Sequence, residues 1–165
     1  MIKAYIIATL TADGIIARGA NQAATWSSKE DKKFFVEKTK QTGVIVMGLN
    51  TFKTIARPLP GRLNIVYTEL PAPHPEVEAT VLPPDQLLAE LEKRGFKEVA
   101  ICGGTTIYTM FLRAGVVDKL YLSIEPKLFG KGLNLFNQDL DLNLKLLSTQ
   151  QLNPDVVLLE YQITK

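Results

Sequence analysis

Residues 98–112 read Glu98-Val99-Ala100-Ile101-Cys102-Gly103-Gly104-Thr105-Thr106-Ile107-Tyr108-Thr109-Met110-Phe111-Leu112, and this stretch decides the fold. Glu98 to Cys102 is a short, mostly apolar run without polar alternation, the pattern of a strand buried on both faces. Gly103-Gly104 breaks the run. Thr105-Thr106 then opens a helix on which Ile107, Tyr108, Phe111 and Leu112 recur at helical spacing. A buried strand that turns straight into a helix is half of a parallel strand–helix–strand unit.

The same alternation extends in both directions. Ile2 to Leu10 is an apolar strand stopped by a turn at Asp13-Gly14. Ser27 and Ser28 announce a helix with Glu30 and Asp31 in its first turn, running to about Gln41 and stopping at Gly43. Val44 to Met47 is a buried strand; Gly48 breaks it, and Asn50-Thr51 can cap a short helix through Ile55. Leu63 to Tyr67 is a strand, Val77 to Val81 a short one. Leu87, Leu88 and Leu91 pattern a helix between Asp85 and Gly95. Asp118 to Glu125 is a strand, and Leu142 to Ile163 is an antiparallel hairpin turning at Asn153-Pro154-Asp155. The expected fold is therefore α/β in three layers. A central, mostly parallel sheet of about eight strands carries helices on both faces and an antiparallel C-terminal hairpin. The chain's 165 residues suit one domain, 1–165.

Composition narrows the function. Hydrophobic residues make up 46% and charged ones 22%, enough apolar surface for a real core and too little net charge for disorder. Nineteen Lys and Arg against 17 Asp and Glu leave a net charge of +2, with no basic run or aromatic-basic platform, so no nucleic-acid partner is expected. One cysteine excludes an intramolecular disulfide and a Cys-rich zinc site. The one histidine, His74, sits between Pro73 and Pro75, which argues against a His-ligated metal or a Ser-His-Asp triad; no metal is expected. Ile2 to Leu10 is too short to cross a membrane and no cleavage-type sequence follows it, so the reading is a cytoplasmic protein without a membrane partner.

Ligands of such sheets gather beyond the carboxyl ends of the strands. Two strand ends here, Met47-Gly48-Leu49-Asn50-Thr51 and Cys102-Gly103-Gly104-Thr105-Thr106, both put glycine before hydroxyl residues at a helix start. They are either ordinary turns and caps or a place where dinucleotide phosphates meet unpaired helix amides. Asp31 is either part of a capping pattern behind Ser28 or a poorly hydrated carboxylate sharing an inward helix face with Phe34 and Phe35, able to exchange a proton with a ligand. Ser123, inside an apolar strand, needs a partner, for which nearby backbone is the simplest candidate. Arg57 and Arg62 flank Pro58-Leu59-Pro60-Gly61, as a solvated loop or as a carboxylate or phosphate clamp.

Five pieces in order resemble the dihydrofolate reductase superfamily: Thr11-Ala12-Asp13-Gly14-Ile15-Ile16-Ala17, Trp26 before Asp31, Val44-Ile45-Val46-Met47-Gly48 before Thr51-Phe52, Arg57-Pro58-Leu59-Pro60-Gly61-Arg62 before Asn64-Ile65, and Ile101-Cys102-Gly103-Gly104 before Ile107-Tyr108. The resemblance covers Ile2 to about Ile163. It implies a reductase that takes a hydride from NADPH, or from NADH, and reduces dihydrofolate to tetrahydrofolate. It implies that Asp31 binds the pterin edge and promotes protonation of N5, supported by Ser123. Ile7, Ala8, Phe35 and Leu59 would line the substrate pocket, with Arg62 and its neighbour Arg57 at the glutamate carboxylates. Thr9, Ile16, Ala17, Gly48, Asn50, Thr51, Thr68, Cys102, Gly103, Gly104, Thr105, Thr106, Ile107 and Tyr108 would hold the cofactor, with a cis peptide joining Gly103 and Gly104.

Other features look like the pyrimidine reductases of riboflavin synthesis, a branch of the same superfamily: Trp26-Ser27-Ser28-Lys29-Glu30-Asp31 and Pro126-Lys127-Leu128-Phe129-Gly130-Lys131-Gly132. Leu49 stands where arginine often follows the glycine, and Glu69 where a small hydroxyl often meets the 2′-phosphate. The alternative substrate is a phosphoribosylaminopyrimidine. The dihydrofolate reading favours a monomer and the pyrimidine reading a homodimer. A third reading is a nucleotide-binding protein without catalysis.

Overall fold

The structure, a computed structural model, describes residues 1–165. Ten strands alternate with four helices: β1 (Lys3–Thr11), β2 (Ile15–Ala17), α1 (Lys29–Thr42), β3 (Val44–Gly48), α2 (Leu49–Ile55), β4 (Leu63–Tyr67), β5 (Val77–Thr80), α3 (Pro84–Lys93), β6 (Glu98–Ile101), α4 (Thr105–Arg113), β7 (Lys119–Glu125), β8 (Leu133–Asn134), β9 (Asn143–Asn153) and β10 (Val156–Thr164). Eight strands form one sheet in the order β5-β4-β3-β6-β1-β7-β10-β9. The first six of these run parallel; β10 is antiparallel to β7 and β9 to β10.

The sequence of β1 shows why this sheet lies between two helical layers. Successive side chains of a strand point to opposite faces. Ala4, Ile6, Ala8 and Leu10 join α3 and α4 in a core with Leu87, Leu91, Phe111 and Leu112. Tyr5 and Ile7 face the other way, with Ile45, Met47 and Phe52, and Phe34 and Phe35 of α1 pack onto that side. Both faces of the strand are apolar because both are covered, each full burial of a large aliphatic side chain being worth about 1.5–3 kcal/mol.

Three elements differ from expectation. The short helix begins at Leu49 with Gly48 as its N-cap, so Asn50 and Thr51 lie inside its first turn instead of capping it. Pro84, which needs no helical N–H partner, starts α3 one residue before Asp85. β2 and β8 form a two-stranded ribbon apart from the main sheet, in segments to which the sequence reading assigns no element. No helix is long and apolar enough to cross a membrane.

Candidate active site

Asp31 enters the site from the first turn of α1. Ser28 is extended, and its side chain accepts a hydrogen bond from the Asp31 amide at 3.2 Å, so the expected cap forms. The Asp31 carboxyl does not close a capping box. It turns inward and is 4% exposed. Ser123 Oγ donates to its Oδ1 at 2.5 Å, and the Thr9 hydroxyl donates to Oδ2. Thr9 of β1 and Ser123 of β7 are register partners, so two neighbouring strands present one hydroxyl each to the same carboxyl. Burial pushes the proton affinity of Asp31 up; the two hydroxyl bonds pull it back by less, and Glu125 adds to the rise. Thr9, expected among the cofactor residues, thus spends its hydroxyl on the acid while still lining the cleft.

The cleft in front of Asp31 measures about 800 Å³. Ile7, Ala8, Phe35 and Leu59 form its wall around the acid; Ile16 and Ala17 of β2 and Leu133 of β8 also contribute. Gly48, Asn50, Thr51 and Cys102 through Tyr108 line the part built from the two glycine-bearing strand ends. Those ends are joined, since the Gly48 amide donates to the Gly103 carbonyl at 2.8 Å. The Gly103–Gly104 peptide is cis. A Cβ on Gly48 would stand 3.1 Å from Ile107 Cγ1, and one on Gly103 would stand 3.3 Å from the Tyr108 hydroxyl, at a φ of +118°. That hydroxyl donates to the Ile7 carbonyl at 2.7 Å, and burial raises its pKa far above the usual tyrosine value. No side chain caps α4. Glycine backbone without Cβ atoms beside an uncapped helix start fits the phosphates of a dinucleotide.

Four predicted residues do not line the cleft. Ser123 stands behind Asp31. Arg62 donates from Nη1 to Thr39 Oγ1 at 2.9 Å and from Nε to the Pro60 carbonyl at 3.0 Å, and desolvation lowers its pKa. Arg57 is exposed in its loop. The Thr68 hydroxyl accepts from the Leu70 amide at 3.0 Å in a local turn.

Several wall residues escaped sequence reading. Lys32, next to Asp31, is the only cation on the cleft wall, and its Nζ donates to the Ser27 carbonyl at 3.0 Å. Ala20, Gln22, Ala23 and Ala24 come from a segment without a motif. A remote contact holds the chain just ahead of that segment. The Asp13 carboxylate accepts from the Thr11 hydroxyl at 2.5 Å and from the amides of Gly130 at 2.7 Å and Phe129 at 3.2 Å, and these bonds, that of Thr11 foremost, hold its carboxyl below the usual aspartate range.

A family model described as dihydrofolate reductase matches residues 3–143. The dihydrofolate reductase of Haemophilus influenzae is 33% identical over 131 residues, covering 79% of this chain and 76% of that protein. Dihydrofolate reductase type 9 of Escherichia coli is 28% identical over 153 residues, 89% of this chain and 81% of that protein. Among solved structures, the dihydrofolate reductase from Enterococcus faecalis complexed with NADP(H) superposes with a TM-score of 0.80 at 23% identity, covering 99% of this chain and 97% of that one. Acinetobacter baumannii RibD superposes with a TM-score of 0.83 at 19% identity over all of this chain and 59% of that longer one. At these identities the two structures bear on the fold alone.

Proposed function

The chain belongs to the dihydrofolate reductase family and is an NADPH-dependent reductase, and on that premise we propose that the compound it reduces is dihydrofolate. The observation that carries this reading is Asp31, a buried carboxyl held by Ser123 and Thr9 at the wall of a cleft floored by Ile7 and Ala8. A carboxylate there accepts hydrogen bonds from the amino and ring N–H edge of a pterin, and its raised proton affinity draws a proton toward the ring. Phe35 and Leu59 flank the flat ring system. Asp31 directs the proton to N5 through an intervening water. Asn50, Thr51, Thr105 and Thr106, with the glycine backbone at 103 and 104, would hold the nucleotide. When bound, NADPH supplies the hydride. Arg62, anchored on Thr39, stands two helical turns beyond Lys32 and suits the glutamate carboxylates, guanidinium and carboxylate pairing well.

Following the loss of reduced-nicotinamide absorbance with purified protein tests the substrate. We expect oxidation of NADPH when dihydrofolate is added. A flat trace with dihydrofolate, alongside oxidation with 5-amino-6-(5-phosphoribosylamino)uracil, would overturn the assignment. One observation favours that second substrate: Lys32 places a positive charge beside the ring site, where a phosphate close to the heterocycle could reach it. Lys32→Met separates the two. For dihydrofolate, KM is expected to stay within about twofold, because the carboxylates lie nearer Arg62. A rise of about tenfold with unchanged kcat would instead place an anion of the substrate at Lys32.

A further inference from the structure

Glu125 ends β7, two residues beyond Ser123, and is 3% exposed. A carboxylate so deep usually has a cationic partner, yet Glu125 takes part in none of the chain's ion pairs. Its Oε1 accepts instead from the Ser28 amide at 2.6 Å, across 97 residues of sequence. Ser28 is the N-cap of α1, where unpaired amides and the positive end of the helix favour a negative group. In a closed capping box the third residue of the helix reaches back to the cap's own amide. Here that residue is Asp31, whose carboxyl is engaged elsewhere, and Glu125 supplies the missing acceptor from a different strand.

We infer that Glu125 is a positioning residue for Asp31, fastening the start of α1 to the end of β7 so that the Asp31 carboxyl stands against Ser123 and Thr9. The inference rests on the reading that Asp31 serves the reduction. The geometry is that of a two-point hinge. β7 holds the helix backbone through Glu125 and the helix side chain through Ser123, three residues apart on α1 and two apart on β7. With either bond gone, the first turn of α1 is free to swing on the other.

Glu125 also acts at a distance through its charge. The groups facing Asp31 are the Thr9 hydroxyl from β1, Ser123 and Glu125 from β7, Tyr108 from α4 and, on its own helix, Lys32. Lys32 favours the charged carboxylate and Glu125 the protonated acid. Turnover that needs the Asp31 proton therefore persists to higher pH with Glu125 charged than without.

Two variants separate the roles. Glu125→Gln keeps an acceptor for the Ser28 amide and loses the charge. Its kcat at low pH is expected to match the parent, while the pH at which turnover falls off moves down. Glu125→Ala loses both: kcat is expected to fall about tenfold at low pH, the scale of a modest misplacement of a reacting group, and further as pH rises, because its fall-off also moves down. Amide hydrogen exchange at Ser28 should quicken in Glu125→Ala and stay slow in Glu125→Gln. An unchanged pH profile in Glu125→Gln removes the charge effect. Parental kcat and Ser28 exchange in a folded Glu125→Ala remove the positioning role. NMR titration of the Asp31 carboxyl in the unliganded chain needs no turnover. A midpoint lowered in Glu125→Gln supports the coupling even if dihydrofolate proves not to be the substrate, and an unmoved midpoint refutes it.

Discussion

Asp31→Asn is expected to lower kcat for dihydrofolate about a hundredfold at neutral pH, within the usual range for a lost acid–base group. The substitution keeps the shape. Asn Oδ1 can still accept from one hydroxyl, and its amide can donate to the other once that hydroxyl rotates, so the pocket has no reason to collapse. What is lost is a group that takes up and passes on a proton. NADPH binding, read by fluorescence titration, should be unchanged, since the nucleotide end is built from other elements. The pH dependence follows from the sign of the Asp31 shift, which is upward from the ordinary 3.8 because burial penalises the charge. Wild-type turnover is fullest at low pH and falls as pH rises through the folded value; the Asn variant should lack that fall. Stability follows the same sign. The stabilising contribution of Asp31 is fully present below the unfolded value and lost as pH rises through the folded one. Asp31→Asn should therefore melt above the wild type at neutral pH, with the gap closing in acid, an activity–stability trade-off at a single buried group. Unaltered kcat, or a gap in Tm that widens in acid, would remove Asp31 from this role.

Gly132→Ala is the second large expected effect, and it acts on the cleft wall. Gly132 precedes β8 at a φ of +153°, and a Cβ there would stand 2.3 Å from the Ala17 carbonyl oxygen and 2.6 Å from Ile15 Cγ2. The first neighbour is backbone and has no rotamer to give way with. The β2–β8 ribbon must part, taking Ile16, Ala17 and Leu133 out of the wall. We expect Kd for NADPH to rise about tenfold or more, on the scale of losing two or three apolar contacts. Tm should fall by about 5 °C, as for a loss near 1–2 kcal/mol in a chain of this size. The main sheet shares no strand with the ribbon, so far-ultraviolet circular dichroism should be near normal. Parental affinity and Tm would show that the ribbon shifts without cost.

What could be read in advance followed interaction range. β3 announces itself because it is an unbroken apolar run ended by glycine, β4 because Asn64 alone interrupts such a run before a turn, and α1 because its cap and first-turn acids are adjacent in sequence. β2 and β8 have three and two residues and gain order only by meeting each other, so no local pattern marks them. At the site, the Phe34–Phe35 face gave Asp31 away. Its service by Thr9 could not be read, because a threonine in an apolar strand looks like any other β-branched residue. Glu125 was still less visible: as the last residue of a strand it reads as a solvated end, and only the return of β7 beside α1 buries it. Arg57 reads in sequence as either a solvated loop residue or part of an anion clamp, and its side chain stands in solvent beside the stiff loop.

The place of β1 has a consequence for biosynthesis. Its pairing partners, β6 and β7, are made only after residues 98 and 119. Until then this largely apolar strand leaves the ribosome with neither edge satisfied. The Asp31–Ser123 contact closes a loop of 92 residues, so this enzyme cannot mature piecemeal as its amino-terminal half emerges. Nascent molecules shorter than about 125 residues should be sticky and dependent on chaperones, and competence should arrive late, in one step, when β7 slides in beside β1.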